Sequence, residues 1–339
     1  MTFVNAFQIS KMEKKLEDQN LESMLRPKCW DDYVGQENVK RNLRLIIDAA
    51  KQRNETCDHL LLYGQAGLGK TTLAYLIAKE MKANIKTTAG PALEKTGDLA
   101  AILSNLEPFE ILFIDEAHRI NKTIEESLYP AMETQKLHLI IGKGPSARTI
   151  SLDLASFTLI AATTKINLLS SPLRSRFGGT FKLDYYNPSD LEKIIRRSAK
   201  ILKAEITEKA AKKLAQSSRF TPRVANRLLK RCRDYIQVNS RSIIDEKAVQ
   251  ETLTLLEIDE KGLEKTDRYF LEVLIKKFNG GPVGLKTLGA ALNEEIETIE
   301  EVYEPFLMSL GMLKRTPAGR LATPLAYEHL KINRCSALI

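Results

Sequence analysis

Cysteine is scarce in this 339-residue chain, and the four present, Cys29, Cys57, Cys232 and Cys335, stand far apart with no C-x-x-C pair. That pattern excludes a disulfide framework and a cysteine-built zinc site, so all four are read as free thiols. Long apolar runs are missing as well: nothing approaches the roughly 18 residues that a membrane span requires. The first twenty residues carry Lys11, Glu13, Lys14, Lys15, Glu17 and Asp18 without an apolar stretch, so no secretory signal is expected and the expected compartment is cytoplasmic. Internal repeats and low-complexity tracts are lacking too.

What is present suits a compact multidomain enzyme. The chain is 43% hydrophobic and 28% charged, ordinary values for a globular protein, and its length suits about two or three domains. Lys and Arg exceed Asp and Glu by 51 − 43 = 8. Nearly all of that excess falls between Asn187 and Glu257, where 16 Lys/Arg face 9 Asp/Glu. Solvated helix faces and a phosphate-binding surface explain it equally well.

Three patterns succeed one another along the chain. Residues 25–183 alternate short apolar runs (His59 to Tyr63, Ile111 to Ile114, Phe157 to Ala162) with helical stretches, which predicts an α/β unit built on a parallel sheet. After Asn187-Pro188-Ser189-Asp190 the period becomes purely helical, which predicts a small all-helical domain. A third unit follows Asp259-Glu260-Lys261-Gly262. There a helix stops at Gly280-Gly281-Pro282, a second spans Leu285 to Leu292 and a third spans Glu294 to about Leu310; two short runs then flank Pro317-Ala318-Gly319 as in a hairpin. Three helices and a hairpin predict a winged helix. The expected divisions are 1–186, 187–257 and 258–339.

The chemistry begins at Gly64-Gln65-Ala66-Gly67-Leu68-Gly69-Lys70-Thr71, which fits G-x-x-x-x-G-K-[ST] between a strand-like run and a helix. In such a P-loop, backbone N–H groups turn toward phosphates, the lysine reaches the β/γ oxygens and the hydroxyl suits Mg²⁺. Ile111 to Ile114 ends in Asp115 and Glu116, one carboxylate for Mg²⁺ and one for the attacking water. Asp115-Glu116-Ala117-His118 also spells a box of another helicase superfamily, but its surroundings favour an AAA+ ATPase, with His118 structural. Thr163-Thr164 closes the next strand and offers a hydroxyl to that water. Arg174 and Arg176 lie on a turn; a permanently cationic, bidentate guanidinium suits transition-state charge, here on a neighbouring subunit's ATP. Thr221-Pro222-Arg223 opens a helix in the basic domain, where a cation could sense the γ-phosphate or simply face solvent.

Taken together, Leu25-Arg26-Pro27-Lys28, Tyr33-Val34-Gly35-Gln36, the run Glu94 to Leu99, Leu128-Tyr129-Pro130-Ala131-Met132-Glu133, Ser171 to Gly178, Thr221 to Arg227, Gly280 to Leu285 and Arg315 to Arg320 resemble the RuvB family of Holliday-junction motors over about residues 25–330. The resemblance implies an AAA+ sheet domain, a helical lid and a winged helix. It implies ATP with Mg²⁺, a homohexamer on duplex DNA, and RuvA and RuvC as partners. It places Leu25, Arg26, Glu133, Thr134, Gln135, Tyr186 and Arg223 around nucleotide, Gly67, Lys70 and Thr72 on phosphates, and Thr71 and Asp115 at the metal. Asp115 and Glu116 become the Walker B pair, Thr164 the sensor and Arg176 the arginine finger.

The same resemblance makes Leu137 to Leu152, a hairpin about Gly142-Lys143-Gly144, the RuvA dock. The family usually has two prolines where Gln65 and Ala66 stand, and many members have a DNA-contacting arginine where Ile296 stands. The helix from Glu294 to Leu310 carries six glutamates and no Lys or Arg, so it would be repelled from a major groove. That speaks against a winged-helix transcription regulator with an ATPase switch. The basic hairpin, with Lys314, Arg315 and Arg320, is instead expected to touch DNA phosphates, Arg315 and Arg320 foremost. A clamp-loader-like ATPase is the nearest alternative.

Overall fold

The computed structural model describes residues 23–141 and 148–333 and divides into two compact units, one ending at Asp190 and the other beginning at Leu191. The first unit is threaded as α1 (Glu37–Arg53), β1 (Leu60–Tyr63), α2 (Lys70–Met81), β2 (Ile85–Ala89), α3 (Thr96–Ser104), β3 (Ile111–Asp115), α4 (Lys122–Thr134), β4 (Lys136–Ile141), β5 (Arg148–Asp153), β6 (Thr158–Thr163), α5 (Ser171–Arg174) and β7 (Gly179–Lys182). Five strands form one sheet in the order β2-β3-β6-β1-β7, with every neighbouring pair parallel.

The three strands legible as apolar runs, β1, β3 and β6, are the inner ones, covered on both faces. The edge strands β2 and β7 carry no such run, because Lys86, Thr87, Thr88, Thr180 and Lys182 are tolerated where one side meets solvent. One face is sealed by Leu61, Leu112, Ile114, Leu159 and Ala161 against Leu99 and Leu103 of α3 and Leu128 and Ala131 of α4. Each such leucine contributes about 1.5 to 3 kcal/mol on burial. α4 starts where the Asn121 side chain accepts the N–H groups of Thr123 and Ile124 at 2.9 and 3.2 Å. It runs into the antiparallel hairpin β4–β5, in which Leu137 faces Leu152 as expected; the turn Gly142-Lys143-Gly144 lies outside the described residues.

The second unit holds most of α6 (Pro188–Ile201), then α7 (Glu208–Gln216), α8 (Pro222–Val238) and α9 (Glu246–Leu255), with β8 (Glu205–Ile206) and β9 (Ile243–Ile244) as a small parallel pair. Helical spacing buries Ala210, Ala211 and Leu214 from α7 and Ala225, Leu228, Leu229 and Cys232 from α8. Thr207, Thr221 and Asp245 each accept a backbone N–H three residues on, starting α7, α8 and α9.

The chain continues as α10 (Lys265–Phe278) and α11 (Leu285–Leu292). An interrupted helix then runs from Ile296 to Ser309, and β10 (Leu313–Thr316) and β11 (Gly319–Ala322) close the wing. The continuous helix expected from Glu294 begins two residues later and contains a π-helical turn, Ile299–Tyr303. Pro305, two residues past its end, has no N–H for the carbonyl four residues back. Arg219 binds both oxygens of the fully buried Asp267, at 3.0 and 3.3 Å, and lies 4.1 Å over the Phe306 ring; this joins the lid helices to the winged helix. Among the described residues no helix is long and apolar enough to cross a membrane.

Candidate active site

β1 ends at Tyr63, and the loop 64–69 turns there because its glycines adopt backbone angles that side chains resist: Gly64, Gly67 and Gly69 have φ of 144°, 81° and 98°. A Cβ on Gly64 would lie 2.5 Å from the Leu183 carbonyl oxygen, and one on Gly69 2.9 Å from the Tyr33 hydroxyl. The loop opens at the carboxyl end of the sheet, where parallel α/β sheets bind ligands. Gly69 caps α2 without a side chain over its first N–H groups, which suits an anion at the helix N-terminus. The Lys70 ammonium is folded over the loop, donating to the carbonyls of Gly64 and Gln65 at 2.7 and 2.9 Å.

Neighbouring strand ends complete the floor. The Thr71 hydroxyl donates to Asp115 Oδ2 at 3.3 Å, so the two oxygens assigned to Mg²⁺ adjoin, as a hard, oxygen-seeking cation requires. The other Asp115 oxygen accepts the Glu116 N–H at 2.9 Å, and Glu116 takes a left-handed backbone, φ 49°. Its carboxylate is exposed and meets Arg119 at 3.2 Å.

At the end of β6, beside the start of the loop, the Thr163 hydroxyl is 3.0 Å from His118 Nδ1 and accepts the Lys165 N–H at 2.9 Å. Thr163 is buried and engaged, and Thr164 beside it is half-buried. His118 therefore joins two strand ends, a structural role. Around this floor Leu25 and Tyr186 are buried, Tyr186 donates to the Leu68 carbonyl at 3.4 Å, and the Arg26 guanidinium lies 4.8 Å over the Tyr75 ring. Thr72 is half-buried on the first turn of α2. Arg223 is exposed at the start of α8 in the other unit.

Arg176, just past α5, is held by three groups: it donates to the Pro172 carbonyl at 2.6 Å, meets Glu133 at 3.2 Å and lies 4.5 Å over the Tyr129 ring. Glu133 and Thr134 end α4 and Gln135 follows; of the three, the Thr134 hydroxyl donates to the Pro130 carbonyl at 2.9 Å and Glu133 meets Arg176. A cavity of about 260 Å³, lined by Arg176, Gln135, Asp58, His59 and Met132, adjoins it. His59 accepts the Leu159 N–H at Nδ1, 2.9 Å, and lies 3.1 Å from the Met132 carbonyl through Nε2. Because Nδ1 accepts, Nε2 must carry the proton; burial, the largest influence, lowers the imidazole's pKa below its ordinary value.

The two wing arginines expected at DNA phosphates differ in burial. Arg320 is 8% exposed, and its guanidinium grips the buried Glu304 at 2.5 and 3.1 Å with Glu300 at 3.6 Å. Its guanidinium rests on a buried carboxylate. Lys314 and Arg315 are the exposed cations of the hairpin, Arg315 standing 3.9 Å from Glu300. The glutamates of the interrupted helix thus serve in part as partners of wing arginines. Ile296 stands exposed at its start.

A parallel-sheet P-loop unit with Lys70, Thr71, Asp115 and Glu116 convergent and an arginine presented from the same unit defines a nucleotide-binding AAA+ ATPase. Profiles for the Holliday junction DNA helicase RuvB P-loop domain, the RuvB AAA lid domain and the RuvB C-terminal winged helix domain match residues 25–183, 186–259 and 260–331. The Holliday junction branch migration complex subunit RuvB of Dehalococcoides mccartyi (strain CBDB1) is 54% identical over 316 residues, 93% of this chain and 90% of that one. The solved RuvB Holliday junction branch migration motor of Thermotoga maritima is 48% identical with a TM-score of 0.84, covering 91% of this chain and 99% of that one. The chain belongs to the RuvB family.

Proposed function

We propose that this chain hydrolyses ATP with Mg²⁺ to drive duplex DNA through Holliday junctions during recombination and repair, as one subunit of a homohexamer working with RuvA and RuvC. The observation that carries the proposal is the adjacency of Lys70, Thr71, Asp115 and Glu116 in a chain related to RuvB along its three segments. Lys70 exchanges its carbonyl partners for β/γ-phosphate oxygens, held by the backbone of Gly67 and by Thr72. Thr71 and Asp115 would hold the metal, which when bound would neutralise phosphate charge. Glu116 accepts the proton of the attacking water, oriented by Thr164. Leu25, Arg26, Tyr186 and Arg223 enclose the rest of the nucleotide.

Arg176, with Glu133, Thr134 and Gln135 beside it, faces the ATP of the neighbouring subunit. The hairpin 137–152 docks RuvA. Arg315 and Arg320, with Lys314 beside them, follow the duplex backbone without reading bases, which suits a motor that passes over any sequence. The parts act as an ATPase domain (1–186), a lid (187–257) and a DNA-contacting wing (258–339), in the cytoplasm. The test is ATP-dependent strand separation on a four-way junction with and without RuvA. RuvA-stimulated branch migration is the expected result; hydrolysis that only opens a partner ring would favour the clamp-loader alternative.

A further inference from the structure

The arginine just past α5 is stationed by one aromatic residue with no role in the chemistry given above. Tyr129 and Glu133 are four residues apart on α4, hence on one helix face, and both reach Arg176: the ring centroid lies 4.5 Å from the guanidinium carbon and the carboxylate 3.2 Å from its nitrogen. The hydroxyl of the same tyrosine points the other way, into a chain of hydrogen bonds. It lies 3.3 Å from Glu125 Oε1 and 2.9 Å from Ser170 Oγ. Ser170 Oγ accepts the Leu173 N–H at 3.2 Å, and Ser170 N–H donates to Glu125 at 3.2 Å.

A carboxylate only accepts, so the phenol gives its proton to Glu125 and Ser170 gives its own to the phenol. Burial, the largest influence, raises the pKa of that phenol, which keeps the proton in place. The hydroxyl therefore anchors Ser170, the residue that caps α5, and α5 leads directly into Arg176. We propose that Tyr129 is the positioning residue of the arginine finger, its ring seating the guanidinium while its hydroxyl fixes the start of the short helix that precedes it. This rests on the finger role of Arg176 proposed above.

Full-length Tyr129→Phe, Tyr129→Leu, Arg176→Ala and the double variant Tyr129→Leu/Arg176→Ala test it by steady-state ATP hydrolysis and by titration with a fluorescent ADP analogue. Tyr129→Leu is expected to lower kcat by about 2- to 30-fold, the worth of a cation–π contact. Tyr129→Phe, which keeps the ring, should lose less, and ADP affinity should hold within about 2-fold for both. The double variant should be no slower than Arg176→Ala, because the tyrosine acts only through the arginine. Mixing Tyr129→Leu with Glu116→Gln subunits should restore hydrolysis where an intact finger meets an intact site.

Unchanged kcat in both tyrosine variants beside a crippled Arg176→Ala would overturn the role of Tyr129 alone, as would a further loss in the double variant. Normal hydrolysis by Arg176→Ala would instead remove the finger role itself, and this proposal with it. If Tyr129→Leu does not fold, Tyr129→Phe decides: a lowered kcat at unchanged ADP affinity supports the anchor, and an unchanged kcat overturns it.

Discussion

The phosphate loop and the wing both place cations next to a glycine-containing turn, yet they treat them in opposite ways. At the loop, Lys70 rests on two carbonyl oxygens, neutral acceptors that a phosphate can replace without leaving a bare charge behind. At the wing, Arg320 rests on Glu304, itself only 3% exposed, and pulling the pair apart would leave a buried carboxylate alone. Arg176 lies between these cases, with an aromatic ring, a carbonyl and an exposed carboxylate, all replaceable partners. The three cations differ in the charge and burial of the partner each rests on.

Substitutions should widen or erase that difference. The largest effect is expected from Arg176→Ala, about 10³- to 10⁵-fold in turnover by the measure of other arginine fingers. Mixing it with Glu116→Gln subunits should recover part of the hydrolysis; no recovery where mixed assemblies form would remove the action across the interface. Glu116→Gln alone should keep ATP binding and lose about 10²- to 10⁴-fold in hydrolysis. Lys70→Ala should instead lose binding, and equal nucleotide affinity in the two variants would erase the distinction between cradle and base.

At the wing, Glu304→Ala should destabilise the fold by about 3 to 5 kcal/mol, read as a lowered denaturation midpoint, because the buried Arg320 keeps only its longer contact with Glu300. Arg315→Ala should leave that midpoint alone and reduce the slope of log DNA affinity against log salt by about 1 on every duplex. An unchanged slope would take Arg315 off the DNA path. The smallest effect concerns acid. The folded His59 has a pKa below its ordinary value of about 6.5, so the unfolded chain binds the proton more readily. Its share of stability is present above about pH 6.5 and is lost as pH falls below that value. His59→Gln should flatten this part of the stability profile, and an unflattened profile would assign the acid sensitivity elsewhere.

Much of this was legible in the residues because it is local. The loop at Gly64 to Thr71, the carboxylates after Ile114 and the wing turn at Pro317 each announce themselves within eight residues, and the inner strands follow from unbroken apolar runs. The edge strands β2 and β7 were not singled out because half-exposed backbone accepts polar side chains. The link from His118 to Thr163 spans 45 positions, and that from Arg320 to Glu304 spans 16. No local pattern says which glutamate of an acidic helix will meet which arginine, so two wing arginines looked alike when only one is exposed. The i, i+4 spacing of Tyr129 and Glu133 was a usable signal for the finger's seat, but Arg176, more than forty positions on, was needed to give it meaning.

The base of the β4–β5 hairpin is closed by a bond from the Leu154 N–H to the Gln135 carbonyl at 2.8 Å, two residues beyond Glu133. The hairpin and the carboxylate that meets Arg176 therefore spring from one root, the end of α4. A force applied to the ribbon is borne first at that root, within one helical turn of Glu133.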